Sequence, residues 1–221
     1  MNKRILLTGG SGQLGRELIK LGKYISPSRK DMDITDKRAV RLYLDKIKPE
    51  LIVHAAAYTN TLKPEENPLE AYKCYKTNVL GTRNIVQYAT CPIIYISTEN
   101  ALEPYNFYIV TKLAGENEIS RHSSYQIVRT SFRSIPFEYK KACTDMYTIA
   151  DSVNIIAKLI NKVIDLPCKN KIIYVGTKIK TVYTLAKKTR PDVIPIKRAD
   201  LLPNHVLPAM KSLKKIKLFS L

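Results

Sequence analysis

Apolar residues in this chain alternate between short continuous runs and stretches in which they recur every three or four positions. The runs are typical of strands buried on both faces, and the recurring pattern is typical of helices with one apolar face. Predicted strands cover 3–8, 23–26, 51–57, 92–98, 125–129 and 171–176. Predicted helices follow the glycines of 9–15 and cover segments around 40–47, 79–86, 108–121, 149–164 and 185.

Strands that alternate with helices predict an α/β fold with a doubly wound parallel sheet, the Rossmann arrangement. A chain of 221 residues can bury one such core and still form a small, reduced C-terminal substrate subdomain. We expect 1–130 to be the dinucleotide-binding domain with the catalytic helix. The remainder, 131–221, is expected to complete the same globule and to end in a basic, partly amphipathic tail from Met210.

Composition narrows the class of protein. The 45% hydrophobic and 25% charged residues are those of a globular chain, and no apolar stretch is long enough for a membrane span. The formal net charge of +18 would suit nucleic acid, but the basic residues are dispersed and form no reader motif, so nucleic-acid binding is disfavoured. Four widely spaced cysteines favour a reducing cytoplasm and give no metal-ligand spacing, so no metal is expected.

A glycine-rich turn follows the first predicted strand directly. Gly9, Gly12 and Gly15 have the spacing G-x-x-G-x-x-G and open an amphipathic helix. Glycine allows positive φ and close backbone approach to a pyrophosphate, and a helix N-terminus offers free N–H groups. We therefore expect a dinucleotide cofactor here, bound by Gly9, Ser11, Gly12, Gln13, Leu14 and Gly15.

The end of the second predicted strand bears on the choice of cofactor. NAD-selective sites usually have an acidic residue there for the ribose hydroxyls, whereas this chain has Ser28, Arg29 and Lys30. A serine and two cations suit the 2'-phosphate of NADP, so Ser28 and Arg29 are expected to bind it. Asp31 and Asp33 keep NAD open as the alternative.

A tyrosine and a lysine follow at i and i+4 on one predicted helix. Tyr108 is a candidate general acid for a ketone, and the ammonium of Lys112 would lower the pKa of its phenol. Thr98 ends the preceding strand, where its hydroxyl could bond and orient the substrate carbonyl. These three residues are the predicted catalytic set.

Seven segments in chain order carry a resemblance to a known family. They are TGGSGQLG (8–15), DITD (33–36), PELIVHAAAYT (49–59), NVLGT (78–82), IST (96–98), YIVTKLAGE (108–116) and VRTS (128–131). With these segments the chain resembles an extended short-chain dehydrogenase/reductase of the dTDP-4-dehydrorhamnose reductase family.

The resemblance implies an NADP-dependent reductase of a 4-keto-6-deoxy sugar on a nucleoside diphosphate, acting in deoxysugar biosynthesis. It implies that Tyr108 is the general acid and that Lys112 tunes the pKa of this phenol and binds the ribose of the cofactor. It also implies that Thr98 is the hydrogen-bond partner of the substrate carbonyl. It also places Asp33 and Ile34 by the adenine. The residues implied to line the cofactor are Ala55, Ala56, Ala57 and Tyr58, and Asn78 is implied to support the active-site helix.

The chain departs from the family after Thr98. Glu99 follows where the family usually has aspartate, and Tyr108 comes only ten positions after Thr98, so the loop that caps the sugar is largely missing. The substrate pocket must be smaller, more open or completed by another chain, which leaves a homo-oligomer possible. A non-catalytic NADP-binding regulatory or sensor subunit of the same fold is the alternative function.

Further polar residues have both a functional and a structural interpretation. An arginine can bind a diphosphate bidentately, although surface solvation is its usual state. The candidates for that role are Arg129, Arg133, Arg190 and Arg198. His54, at the end of an apolar strand, is expected to be structural or to line the cofactor rather than to catalyse.

Overall fold

The computed structural model describes residues 3–201 and 207–219. Its strands are β1 (Ile5–Thr8), β2 (Leu51–His54), β3 (Ile93–Thr98), β4 (Tyr125–Thr130), β5 (Phe132–Arg133), β6 (Lys141–Cys143), β7 (Tyr147–Thr148), β8 (Asp151–Ser152), β9 (Lys171–Tyr174), β10 (Lys180–Thr181) and β11 (Ile194–Ile196). Its α-helices are α1 (Gln13–Leu21), α2 (Lys37–Ile47), α3 (Lys63–Glu66), α4 (Pro68–Tyr75), α5 (Thr82–Tyr88), α6 (Phe107–Ile119), α7 (Val153–Ile164), α8 (Val182–Lys187) and α9 (Arg198–Leu201). A π-helical turn (Lys76–Gly81) and two 3-10 turns (Glu99–Leu102 and Lys211–Lys215) complete the set.

The central sheet has five parallel strands in the order β1-β2-β3-β4-β9. Ile25 adds a parallel bridge on the free side of β1, at Leu6. The order of connection therefore reverses at β1, and a crevice opens at the carboxyl end of that strand, where α/β folds bind their ligands. The predicted doubly wound α/β fold is confirmed.

Successive residues of β1 point to opposite faces of the sheet and into different cores. Leu7 packs into a cluster with α1 and α7, including Leu18 and Ile160. Leu6 packs into a second cluster with α2 and α5, including Val40 and Ile85. This two-sided burial explains why the strand reads as a continuous apolar run.

The strand predicted at 51–57 ends at His54, and the helix predicted around 79–86 is divided between the π-helical turn and α5. Two further predicted elements differ from the structure. The strand expected at 23–26 is reduced to the bridge at Ile25, because Gly22 and Pro27 bracket a short edge segment. The helix expected from 149 begins at Val153, since Asp151 and Ser152 pair in parallel with β5 instead.

The part after residue 130 forms a third apolar cluster of short strands and helices and also returns β9 to the central sheet. The proposed division near residue 130 stays a prediction.

In the tail, Leu213 is buried while Lys214 lies 4.1 Å from the ring centroid of Tyr147. The last tail residues, 220–221, lie outside the described part.

Among the described residues no helix combines the length and the apolar character needed to cross a membrane. The same residues contain no group of three or more His, Cys, Asp or Glu side chains placed to hold a metal ion.

Candidate active site

The turn between β1 and α1 is built so tightly that only glycine fits at two positions. Gly9 has φ +75°, and a Cβ there would lie 2.6 Å from the backbone nitrogen of Ala56. A Cβ on Gly15 would overlap the carbonyl oxygen of Gly9. The Gly12 N–H donates to that same carbonyl at 3.0 Å, which closes the turn.

The first turn of α1 keeps its amides free for an anion. Gly12 is the N-cap, and no side chain of the described residues caps the helix. Uncapped N–H groups and the positive end of the helix dipole favour a phosphate. Gln13 and Leu14 begin this helix, so the predicted pyrophosphate residues meet at one place and fit a dinucleotide.

Beside the turn, the segment after Ile25 presents Ser28 and Arg29. The Ser28 hydroxyl donates to Asp31 at 2.6 Å, and Arg29 Nε donates to Asp33 Oδ2 at 2.9 Å. The Arg29 side chain is 79% exposed, and its terminal nitrogens make no bond within the described residues. Asp33 thus holds Arg29 by one nitrogen and leaves the rest of the guanidinium for an anion.

Ile34, which was predicted to lie by the adenine, is almost fully buried in the second core cluster. Its side chain sits against Gly81, and its carbonyl accepts a hydrogen bond from Asn84 at 2.9 Å. The structure therefore gives Ile34 a packing role between the end of the Ser28–Asp33 segment and the π-helical turn.

The loop after β2 lies against the glycine turn. Ala55 and Ala56 donate their N–H groups to Thr8, to the carbonyl at 3.3 Å and to the hydroxyl at 3.1 Å. Ala57 follows, and Tyr58 donates its N–H to Asn78 Oδ1 at 2.8 Å. The predicted cofactor-lining residues therefore share one wall with Gly9.

Asn78 joins that loop to the active-site helix. Its side-chain amide donates to the Tyr58 carbonyl at 3.1 Å and to Thr111 Oγ1 at 2.9 Å. Asn78 is buried within the π-helical turn, and its own carbonyl lies against Gly115 of α6. These contacts are those of a support for α6.

Thr98, Tyr108 and Lys112 stand at the carboxyl end of β3 and in the first two turns of α6. Thr98 Oγ1 accepts the Asn100 N–H at 3.2 Å, which leaves its own proton free to be donated. The helix begins where Asn106 caps the Ile109 N–H at 2.9 Å, so Tyr108 is held in its first turn.

Lys112 is 2% exposed and is held from two sides. Its Nζ donates to the Ile96 carbonyl at 2.8 Å and lies 4.1 Å from the ring centroid of Tyr95. Burial lowers the pKa of the amine to about 7, while the nearby Glu116 and Cys74 oppose that shift. The lysine can therefore gain or lose a proton near neutral pH.

The phenol of Tyr108 differs from the expectation. Burial raises its pKa above the usual value, with smaller contributions from Cys74 and Tyr105. The cation that lowers this pKa is Arg133, and Lys112, whose amine is bonded to β3, is not among the causes. The predicted role of Lys112 as the tuner of the phenol is thus not seen in this arrangement.

Of the four arginines considered for a diphosphate, three are engaged within the fold. Arg129 is buried and bidentate to Glu116, at 2.9 and 2.6 Å. Arg190 bonds the carbonyls of Phe137 and Glu138, and Arg198 bonds Asp145 and the Leu207 carbonyl. Deep burial or backbone bonding excludes these three as free phosphate ligands.

Arg133 makes no hydrogen bond or ion pair with the described residues and lines a small surface cleft. The cleft also exposes Lys188, whose Nζ is 3.9 Å from Asp151 Oδ2. Its remaining lining is partly polar and consists of Ser134, Ile135, Phe137, Ser152, Leu185 and Thr189.

Sequence reasoning missed the role of Glu99, which replaces the usual aspartate of the family. Glu99 is buried, accepts the Thr148 hydroxyl at 2.6 Å and accepts the Ile149 N–H at 2.8 Å. It therefore ties the carboxyl end of β3 to the second half of the chain. No local pattern signals such a contact across 49 residues.

The model of the RmlD substrate binding domain family matches residues 3–133. A dTDP-4-dehydrorhamnose reductase of Aggregatibacter actinomycetemcomitans is 36% identical in an alignment 111 positions long, which covers 46% of this chain and 37% of that protein. The aligned part is thus well under half the length of that relative.

Two solved structures resemble the whole chain. One is a dTDP-4-dehydrorhamnose reductase from Bacillus anthracis in complex with NADP, with a TM-score of 0.81, 23% identity, and coverage of 99% of this chain and 95% of that one. The other is a dTDP-4-dehydrorhamnose reductase from Clostridium acetobutylicum, with a TM-score of 0.79, 26% identity, and coverage of 96% and 93%. The resemblance predicted from the seven sequence segments is confirmed.

Proposed function

The chain belongs to the RmlD substrate binding domain family, and we propose that it is an NADP-dependent reductase of a nucleoside-diphosphate-linked 4-keto-6-deoxy sugar in deoxysugar biosynthesis. The proposal is supported by the position of Thr98 at the carboxyl end of β3 and of Tyr108 and Lys112 in the first two turns of α6, which is bonded to β3 through the Lys112 amine and the Ile96 carbonyl. Four free cysteines agree with a cytoplasmic enzyme.

NADP is the proposed cofactor, and its reduced form, NADPH, would supply a hydride to the carbonyl carbon. The amides of Gln13 and Leu14 would hold its pyrophosphate, and the free part of the Arg29 guanidinium would hold its 2'-phosphate. The bound structure from Bacillus anthracis supports this choice.

Cofactor selectivity can be measured on Arg29→Ala by calorimetry. We expect the Kd for NADPH to rise roughly tenfold, because one charge-assisted contact is lost, while the Kd for NADH changes little. Lys20→Ala, on the exposed face of α1, is the control. An unchanged ratio of the Kd values for NADPH and NADH would show that Arg29 does not bind the 2'-phosphate and would favour NAD as the cofactor.

Tyr108 is the proposed acid. Its raised pKa keeps the phenol protonated at neutral pH, so it holds the proton that a developing alkoxide needs. Thr98 donates its free hydroxyl proton to the same carbonyl oxygen and orients it. Arg133, the cation that lowers the pKa of this phenol, would stabilise the phenolate left behind.

Arg133 and Lys188 are the proposed ligands of the substrate diphosphate. Arg133 lines the cleft and also lowers the pKa of the Tyr108 phenol, which supports a diphosphate at this place. Two cations face the cleft, and a guanidinium can bind phosphate bidentately.

The assay follows the absorbance of NADPH with dTDP- and GDP-linked 4-keto-6-deoxy sugars. Tyr108→Phe should lower kcat at least about 100-fold, the usual contribution of a general acid, without weakening NADPH binding. Tyr72→Phe, an exposed tyrosine of α4, should behave as wild type. Equal kcat for Tyr108→Phe and wild type would refute the assigned acid.

A regulatory or sensor subunit is the second candidate, favoured by the short connection between β3 and α6. Only the 3-10 turn at Glu99–Leu102 and a few further residues separate Thr98 from Phe107. Tight NADPH binding by wild type without turnover of any of these sugars would favour this second function.

A further inference from the structure

His54, the last residue of β2, is fully buried and uses both ring nitrogens. Its Nδ1 lies 2.7 Å from Thr8 Oγ1, and its Nε2 lies 3.1 Å from Thr82 Oγ1. A core histidine needs partners for its nitrogens wherever it lies. What distinguishes this one is the identity of the groups at the two ends.

The direction of each hydrogen bond follows from the neighbouring groups. The Thr82 hydroxyl donates its proton to the Asn78 carbonyl at 2.7 Å, so it can only accept a hydrogen bond from His54. Nε2 therefore carries a proton. Burial lowers the pKa of the imidazole to about 3, so the ring is neutral and Nδ1 accepts from the Thr8 hydroxyl.

The result is one directed chain of bonds. The Ala56 N–H donates to Thr8, Thr8 donates to His54, His54 donates to Thr82, and Thr82 donates to the Asn78 carbonyl.

The two ends of this chain lie on the two halves of the candidate active site. Thr8 immediately precedes Gly9 and fixes the loop at Ala56, which forms the cofactor wall. Asn78 supports α6 through Thr111, the residue directly before Lys112.

We propose that His54 is a positioning residue for the reduction: its Nδ1 side fixes the cofactor wall, and its Nε2 side fixes the catalytic helix. This inference rests on the proposed function. Because the two halves of the ring serve different parts of the site, they should separate in binding and turnover.

Two conservative variants each keep one of the two hydrogen bonds of the His54 ring. An asparagine amide reaches the place of Nδ1, and a glutamine amide reaches the place of Nε2. His54→Asn should keep the Kd for NADPH within about threefold and lower kcat about tenfold, the effect of losing one buried hydrogen bond. His54→Gln should raise that Kd about tenfold and keep kcat near wild type once the cofactor saturates. His54→Phe keeps only the ring shape, so it should show both effects, a raised Kd for NADPH and a lowered kcat.

The matched control is His122→Gln. His122 is half-buried, and its ring nitrogens lie 2.9 and 3.1 Å from the carbonyls of Ser124 and Ala89, away from the site. It should change the melting temperature without changing Kd or kcat.

The pattern across His54→Asn and His54→Gln decides the inference. If both variants changed Kd and kcat equally, in proportion to their loss of melting temperature, His54 would be a structural residue only. If wild type gave no turnover, the difference in NADPH Kd between the two variants would still test the Nδ1 side. Absent turnover alone would therefore count against the proposed function and not against the positioning role.

Discussion

Lys112 has a buried amine. Its burial lowers the stability of the fold but gives the amine a pKa that suits proton transfer near neutral pH. The pKa of the amine is about 7 in the folded chain against a usual value near 10.5, so between these two pH values folding releases a proton that the unfolded chain keeps. Below about pH 7 both states keep the proton, and the loss of stability caused by burying the charged amine has its full value. It shrinks as the pH rises towards 10.5, where the unfolded chain also loses the proton.

We therefore expect Lys112→Met to be more stable than wild type at pH 7, by an amount on the order of a few kcal/mol, although it should be inactive. The gain should fall steadily between pH 7 and pH 10. Chemical denaturation at both pH values measures it, with exposed Lys73→Met as the control. A stability difference that does not depend on pH would contradict the buried neutral amine.

At this scale the sequence selects the candidate side chains of the site, but it does not predict how those side chains are held. Tyr108 and Lys112 share a helix face because four residues make about one turn, which is a local rule. The bond from Lys112 to Ile96, and the bonds of Glu99 to residues near 148, depend on tertiary packing. Spacing along the chain carries no information about such contacts.

The glycine turn is the element on which the proposed cofactor binding depends. Gly15 lies in α1, where alanine would normally favour the helix, but its missing side chain leaves room for the backbone of Gly9 and Gly10. The steric conflict should outweigh helix propensity, since the contacted atoms are backbone atoms that cannot move aside.

Gly15→Ala should thus lower the free energy of unfolding by about 1–3 kcal/mol and weaken NADPH binding at least tenfold. Gly22→Ala is the control, because a Cβ there meets only the Tyr24 ring, at 3.2 Å. Thermal melting and calorimetry measure the two effects. Wild-type affinity in Gly15→Ala would show that the turn does not hold the cofactor.

Long, strongly patterned elements could be predicted from the sequence, and very short ones could not. Asp36 is the N-cap of α2 and accepts two backbone N–H groups, and aspartate is one of the residues that favour this position. Strands such as β5 and β8 have two residues each, too few to show a period of two. They are formed by pairing with each other across the chain.

Across the whole molecule, a buried ionic network joins the central sheet to α6. Arg129 of β4 is bidentate to Glu116, which also accepts the Ser97 hydroxyl of β3. Arg129 further donates to the Tyr174 hydroxyl of β9 at 2.8 Å. Three strands and α6 are thus fixed to one another.

Removing one partner leaves the other charge buried and unpaired, so Arg129→Met should cost about 3–5 kcal/mol of stability. The double variant Arg129→Met with Glu116→Leu should recover much of that loss. Arg121→Met is the control, because its pair with Glu118 is solvent-exposed on the arginine side and should change stability by under about 1 kcal/mol. A double variant less stable than the single one would contradict this account.

Transfer of label from the cofactor tests the proposed reduction most directly. Wild-type protein is incubated with NADPH deuterated at the transferable position of the nicotinamide and with a nucleotide-linked 4-keto-6-deoxy sugar, and the product is analysed by mass spectrometry and NMR. We predict a product that carries deuterium at C4 of the sugar, and none with Tyr108→Phe. Unchanged sugar from wild-type protein that binds NADPH tightly would contradict the account.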